Sequence, residues 1–469
     1  MLVRPSSAQR EMPCGCNRTQ PSGKQSAASR RKCFQIFFTT CVLLLSGAPG
    51  QADIARTWTP VSELSETERA AIDLRTETPR DPQIPYLPAE RYPFSPPYTA
   101  EEMGYRAMEF PHMPRWSVAF ADGFGSITSS GFLQQAKTAG GTLSVHADGL
   151  AGYLYSTPPG GEYFRWLFQD TAPPENYGNQ ILMVGYRTDQ TFSTRLDSFF
   201  YSPSLRRVRR MPQPRRDDRF PNSVQTMDDI TGRDAWEFSW RVLGMDVLYE
   251  TVRFPNNRLT VTSAGASGTF TELPVKAFKV LGDEYPHYTA EGGIECYVVE
   301  ATAREEWLPN YSTPKFIYWL DRHFFYPLRI ESYDREGKLV KIEVRTARLV
   351  RPELQERGYA SFLTVYWDLS LDMMSYSFHD NFALREWSEK DRQVLFTPDF
   401  MRRVWFLAPL KFLEEIRAPE KFYLRPLLDR EKFPQDRRIA IPADLEARIR
   451  AQEEARHLVF MSAVQARAQ

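Results

Sequence analysis

The chain has 469 residues with 59 basic and 59 acidic side chains, so it lacks the cationic excess that phosphate backbones demand. That balance excludes bulk nucleic-acid binding. At this length folding can bury roughly three quarters of the unfolded surface, and aromatic residues at 13% supply much of the material for a core.

Residues 1–52 read as a cleavable signal peptide, with cleavage near Ala52. Seven Lys/Arg and one acid, Glu11, lie in this stretch. Arg30, Arg31 and Lys32 precede the apolar run Cys33 to Leu45, and small residues follow it. The run is short for a bilayer and is interrupted by Gln35, Thr39 and Thr40; an N-terminal membrane anchor is the competing reading. Removing this leader lowers the basic count from 59 to 52 and the acidic count from 59 to 58, leaving a net charge of −6. Cys14, Cys16, Cys33 and Cys41 leave with it, so Cys296 has no partner for an internal disulfide or a cysteine metal cluster. The expectation is a protein of the periplasm, held together by its core.

Residues 53–114 predict a proline-rich strap with two short helices. Capping boxes mark their starts, Ser65 with Glu68 and Thr99 with Glu102. Pro82 to Pro97 is expected to run extended over the surface. Residues 115–400 predict an antiparallel β domain. Its strand-like runs are Leu143 to Ala147, Gly152 to Tyr155, Ile181 to Tyr186 and Thr191 to Tyr201, with hairpins at Phe316–Asp321, Pro327–Tyr333 and Leu339–Ala347. The alternation in the last of these predicts one buried face and one wet face. Residues 401–469 predict a helical extension through Phe400–Leu407, Leu410–Ile416 and the Ala-rich tail.

The densest charge feature is Arg206 to Arg219, with seven arginines in 14 residues. Arg206, Arg207, Arg209 and Arg210 are candidates to contact a lipid head group or an acidic partner, because guanidinium binds phosphate and carboxylate bidentately. The plainer reading is a strand edge and loop neutralised by Asp217, Asp218, Asp228 and Asp229. Aromatic crowding suggests a second site. Tyr153, Tyr155, Trp166, Phe168, Trp240 and Tyr318 are candidates to hold a hydrophobic ligand on a curved sheet, and an ordinary packed core explains them equally well.

Catalytic patterns are missing from the sequence. His112, His146, His287, His323, His379 and His457 form no i, i+4 pair and no zinc-hydrolase motif. The stretches around Gly123-Phe-Gly and Gly140-Gly141 match no phosphate loop and read as turns. No Gly-x-Ser-x-Gly elbow occurs, and Asp228-Asp229 lacks a metal-binding context. No enzyme, cofactor or metal is expected.

Several stretches together resemble a bacterial family known as domain of unknown function 1329. They are Pro93 to Pro111, Leu205 to Pro212, Trp240 to Tyr249, Val298 to Thr302 with the Tyr318–Asp321 hairpin, and Phe396 to Arg403. They span roughly residues 90–403. The resemblance implies a periplasmic protein with a LolA/LolB-like half-open barrel of antiparallel strands, mainly β with short covering helices. It also implies a lipid or other hydrophobic molecule as cargo, and a transporter of the resistance-nodulation-division type or an outer-membrane protein as partner. No catalytic residue carries over. The expected function is a monomeric lipid carrier; a non-catalytic envelope adaptor docking through its arginine segment is the alternative.

Overall fold

The computed structural model describes residues 57–402, apart from 76, 110–116, 145–152, 249–259, 265–268, 275–292, 324, 350–358 and 386, together with 416, 417, 443 and 447. The expected signal peptide and most of the expected C-terminal helices lie outside the described residues. The N-terminal part supplies β1 (Thr59–Pro60), α1 (Glu66–Ala70), β2 (Ile72–Asp73), β3 (Tyr98–Thr99) and α2 (Ala100–Glu109). Then come β4 (Val118–Thr128), β5 (Phe132–Ser144), α3 (Tyr153–Ser156), β6 (Glu162–Ala172), β7 (Gln180–Tyr186), β8 (Leu196–Ser202) and β9 (Arg207–Arg210). After α4 (Met227–Thr231) follow β10 (Phe238–Leu248), β11 (Thr260–Ala264), β12 (Phe270–Pro274), β13 (Ile294–Ala303), β14 (Lys315–Asp321), β15 (Pro327–Tyr333) and β16 (Leu339–Leu349). β17 (Tyr359–Asp368), β18 (Met373–Leu384), α5 (Glu389–Val394) and β19 (Ile416–Arg417) complete the chain order.

One antiparallel path joins most of these strands. It starts at β1, pairs with β10, runs from β13 through β18 in sequence order, then crosses to β4 and continues through β9. No pairing among the described residues joins the β9 end back to the β1 end, so the sheet is open. A path this long twists, and strongly twisted sheets of this length curl rather than lie flat. The large antiparallel sheet with short helices expected from the sequence is the one observed.

Residues directly opposite one another on paired strands share a face. Ile330, Glu343, Tyr366, Ser375 and Ser126 therefore lie on one face, as do Val118, Thr142, Trp166, Met183 and Ser198. The two rows meet on β4, where Val118 and Ser126 are an even number of residues apart. This first face carries an apolar cluster at each end. Tyr297, Val299, Phe316, Tyr318 and Ile330 pack under α2 and the strap at one end. Val118, Phe120, Phe164, Phe168 and Met183 pack with Phe220 and Met227 at the other. The opposite face holds further clusters, including Leu143, Leu167 and Leu182 beneath Trp387, Phe396 and Met401.

Both N-terminal capping boxes form: Ser65 with Glu68, and Thr99 with Glu102, whose backbone and side chain exchange bonds of 2.9 and 3.1 Å. Other expectations need correction. The strap does not run extended on the surface; it turns repeatedly and buries Leu87, Tyr92 and Phe94 in the first cluster. Tyr153 to Ser156 is a helical turn, because burial of Leu154 and a hydrogen bond from Tyr155 Oη to Pro88 O (2.5 Å) override local strand preference. Thr191 to Arg195 is loop, since Asp189 accepts hydrogen bonds from the Thr191 and Phe192 amides and turns the chain. Gly123, Gly125, Gly140 and Gly141 lie inside β4 and β5 rather than in turns. Finally, the alternation in β16 does not mark a wet face. Lys341, Glu343 and Arg345 are buried, because Asp229 is brought over the sheet onto Lys341 while Glu343 and Arg345 neutralise each other along the strand.

Candidate functional site

A polar strip crosses the middle of the first face. It is built by the segment from Arg216 to Glu237, which contacts β14 through Arg233, β16 through Asp229, β17 through Arg219 and β18 through Val224. Arg216 Nε donates to Asp228 at 2.8 Å, and its two Nη atoms grip Glu237. Arg233 donates to Asp229 at 2.9 Å and to Tyr311 Oη at 3.0 Å, and Tyr311 in turn donates to Asp228 at 2.6 Å. Lys341 Nζ reaches Asp229 at 2.5 Å from β16. Arg195 donates to Asp234 at 3.1 Å. Arg216, Arg233, Lys341 and Arg195 are thus matched by Asp228, Asp229, Asp234 and Glu237.

Burial alone would push the Asp229 carboxyl up; Lys341 and Arg233 overrule it and hold it well below the usual carboxylate range. Burial likewise opposes the charge of Arg216, and Asp228 with Glu237 keeps it protonated. The network fastens the segment to the sheet and separates the two apolar ends of the face. Among the described residues no group of side chains is arranged to hold a metal ion.

The end at β6 to β8 is the candidate site. Trp166 packs on Phe168 with ring centroids 5.1 Å apart and on Phe120 at 6.3 Å. Glycine permits the close packing here: a Cβ at Gly140 would strike the backbone of the next strand at Phe168 Cα (2.7 Å), and one at Gly185 would strike the Phe164 ring at 2.0 Å. In this apolar compartment two hydrogen-bonding groups are buried without a partner among the described residues, the Trp166 indole N–H and the Ser198 hydroxyl. They share a row, Trp166 opposite Met183 and Met183 opposite Ser198, so both face the same side of the sheet. An orphaned buried donor costs about 1–3 kcal/mol. Nearby on β6, burial pushes the Asp170 carboxyl up to about 6 against a weaker opposing bond from Asn179.

The sequence-predicted aromatic residues divide between the two ends. Trp166 and Phe168 belong to the compartment. Tyr155, Trp240 and Tyr318 belong to the other cluster, where Tyr318 is buried with its hydroxyl on Met108 Sδ (3.7 Å) and Trp240 donates to Ala235 O (2.9 Å). Trp240 also borders a cleft of about 470 Å³ lined by charged residues, among them Arg75, Arg80, Glu101 and Arg304. Tyr153 begins α3, and its side chain lies outside the described residues.

The arginine segment also divides. Arg216 is the hub of the buried network, Arg219 pairs with Asp368 at 2.7 Å, and Arg215 pairs with Asp217 at 3.3 Å. Arg210 pairs with Asp197 at 2.5 Å, whereas Arg206, Arg207 and Arg209 are exposed. Ser198, an ordinary serine between Asp197 and Phe199, carries no local signal in the sequence. The alternation of β8, read against Trp166 in register, is the signal that finds it.

The described residues thus form an open antiparallel sheet with a covering segment pinned across one face. The chain belongs to the family described as protein of unknown function (DUF1329), whose sequence model matches residues 90–402. No curated protein matches it. Among solved structures it is similar to a domain from Vibrio parahaemolyticus described as outer membrane lipoprotein-sorting, at 13% identity and a TM-score of 0.42, covering 65% of this chain and 98% of that one. A DUF1329 family protein from Desulfovibrio piger is similar at 14% identity and a TM-score of 0.42, covering 62% and 94%. A LolA superfamily protein from Nitrosomonas europaea is similar at 14% identity and a TM-score of 0.35, covering 65% and 99%.

Proposed function

We propose that the protein is a non-catalytic periplasmic carrier of a lipid or other hydrophobic molecule, working beside an envelope exporter of the resistance-nodulation-division type. The observation that supports this most directly is the pair of orphaned polar groups in the aromatic compartment. A purely structural core would pair Trp166 Nε1 and Ser198 Oγ or replace them with apolar groups. An apolar ligand carrying an ester, amide or hydroxyl would bury its chain against Trp166 and Phe168 and accept from both donors. Each buried CH₂ contributes about 0.8 kcal/mol, so a long acyl chain supplies roughly 10 kcal/mol before ordering costs. Tyr155, Trp240 and Tyr318 then serve the same face from its far end, by holding the strap and α2 in place.

The test is displacement of a fluorescent fatty-acid probe from protein stripped of ligand by detergent exchange. Wild type should take up the probe with quenching of Trp166, and Trp166→Phe should bind it more weakly while melting at the same temperature. Equal binding by both would refute the assignment of the site.

A further inference from the structure

We propose that the β8–β9 hairpin is a docking surface for an anionic lipid bilayer. The hairpin turns at Ser202 to Arg207, closed by the Arg206 amide on Ser202 O at 2.8 Å. Arg206 sits there at φ 48°, a left-handed conformation that glycine adopts without strain and arginine does not. A charged side chain is therefore held at the tip where backbone geometry favours none. Arg207 and Arg209 follow on β9 and share one face of the strand, with Met211 next in the same alternation. None of the three arginines has a salt-bridge partner among the described residues, in contrast to Arg210, Arg215, Arg216 and Arg219.

Apolar groups stand beside these charges. Seven large apolar side chains are exposed among the described residues, and three gather here: Leu205 at 52%, Met211 at 46% and Tyr177 at 45%. Tyr177 lies in the loop between β6 and β7, which abuts the hairpin tip; a Cβ at Gly178 would meet Pro203 Cγ at 3.0 Å. Glu175 in that loop and Asp197 behind Arg210 are the acids that face the patch. They leave it cationic.

Exposed guanidinium groups interleaved with single apolar tips match a phosphate-bearing lipid surface. The guanidinium fork takes phosphate oxygens, and Leu205, Tyr177 and Met211 enter the interfacial zone. A protein partner would call for a wider apolar face than three isolated side chains provide. The arrangement also has an edge-strand aspect, since charges on an edge resist strand-to-strand association. That alternative makes a different prediction below. The docking surface and the ligand compartment share no residue but adjoin on one face of the sheet: Arg209 lies opposite Phe200, and the Met211 amide donates to Ser198 O at 2.8 Å.

The experiment is flotation of the full mature protein with vesicles of phosphatidylcholine alone or mixed with phosphatidylglycerol. Wild type should float with the anionic vesicles, and added salt should release it. Arg207→Gln with Arg209→Gln should weaken binding about fivefold per arginine, roughly thirtyfold together. Leu205→Ser, with every charge kept, should also weaken it. Circular dichroism melting confirms that each variant folds, and probe uptake by the Trp166 compartment should be unchanged. No binding by wild type, equal binding to neutral vesicles, or equal binding by the double variant would overturn the proposal. So would a double variant that self-associates while wild type ignores vesicles, which would assign the arginines to edge protection. Loss of probe uptake in wild type would overturn only the carrier reading.

Discussion

Replacing Ser198 by alanine separates a ligand site from a packed core. The hydroxyl is buried and has no partner among the described residues, and the residue itself is 9% exposed. In stripped protein the substitution deletes an orphaned group and almost no volume. It should raise the unfolding free energy by about 1 kcal/mol, within a ceiling of about 3 kcal/mol set by the cost of an unsatisfied buried donor. In ligand-loaded protein the sign reverses, because a hydrogen bond of about 0.5–1.5 kcal/mol to the ligand is lost. Probe affinity should fall about threefold to tenfold. The assay is urea unfolding of stripped wild type and variant, read by tryptophan fluorescence, together with probe titration of both. A stripped variant that is less stable than wild type by 1 kcal/mol or more would refute the reasoning, because the hydroxyl would then have a structural partner.

The other predictions test the frame around the compartment. Asp229→Asn leaves Lys341 and Arg233 facing too little negative charge in a buried site, and should cost about 3–5 kcal/mol in urea unfolding. Gly104→Ala would drive a methyl into the Trp240 ring at 2.2 Å, so it should destabilise by about 1–3 kcal/mol and loosen α2, measured by hydrogen exchange of its amides. Asp170 has a folded pKa raised to about 6, so its charging opposes folding. That penalty is absent below the unfolded pKa near 4 and complete above about 6. Asp170→Asn should therefore stabilise by about 1–2 kcal/mol at pH 7, after discounting for partial exposure, and by nothing at pH 3. A gain that does not change between those two pH values would contradict the assignment.

Much of the sheet was legible in the sequence because hairpin strands announce themselves locally. Pro327 to Tyr333 and Leu339 onward alternate, and Asp334-Arg-Glu-Gly-Lys closes a turn between them. The same alternation misled about solvent. Lys341, Glu343 and Arg345 look like a wet face; only tertiary contact brings Asp229 onto Lys341, and Glu343 and Arg345 pair with each other. Glycines gave a second misreading. Gly123 and Gly141 lie in strands because the Phe378 and Trp387 rings cross over them, a demand that composition does not reveal.

The candidate site was half legible. Trp166 and Phe168 were nominated by aromatic density alone, whereas Ser198 needed strand register to join them. Within the arginine run, Arg207 and Arg216 look alike in sequence. One ends on an exposed strand edge and the other between two buried carboxylates.

The central claim is that this protein carries a hydrophobic molecule between membranes. The decisive measurement is native mass spectrometry of the protein purified from its source cells without detergent. A bound lipid-like mass is expected, one that solvent extraction removes and that Trp166→Phe and Ser198→Ala both diminish. Protein that leaves the cells at its bare polypeptide mass, takes up no probe, and gives the same result in both variants would contradict it.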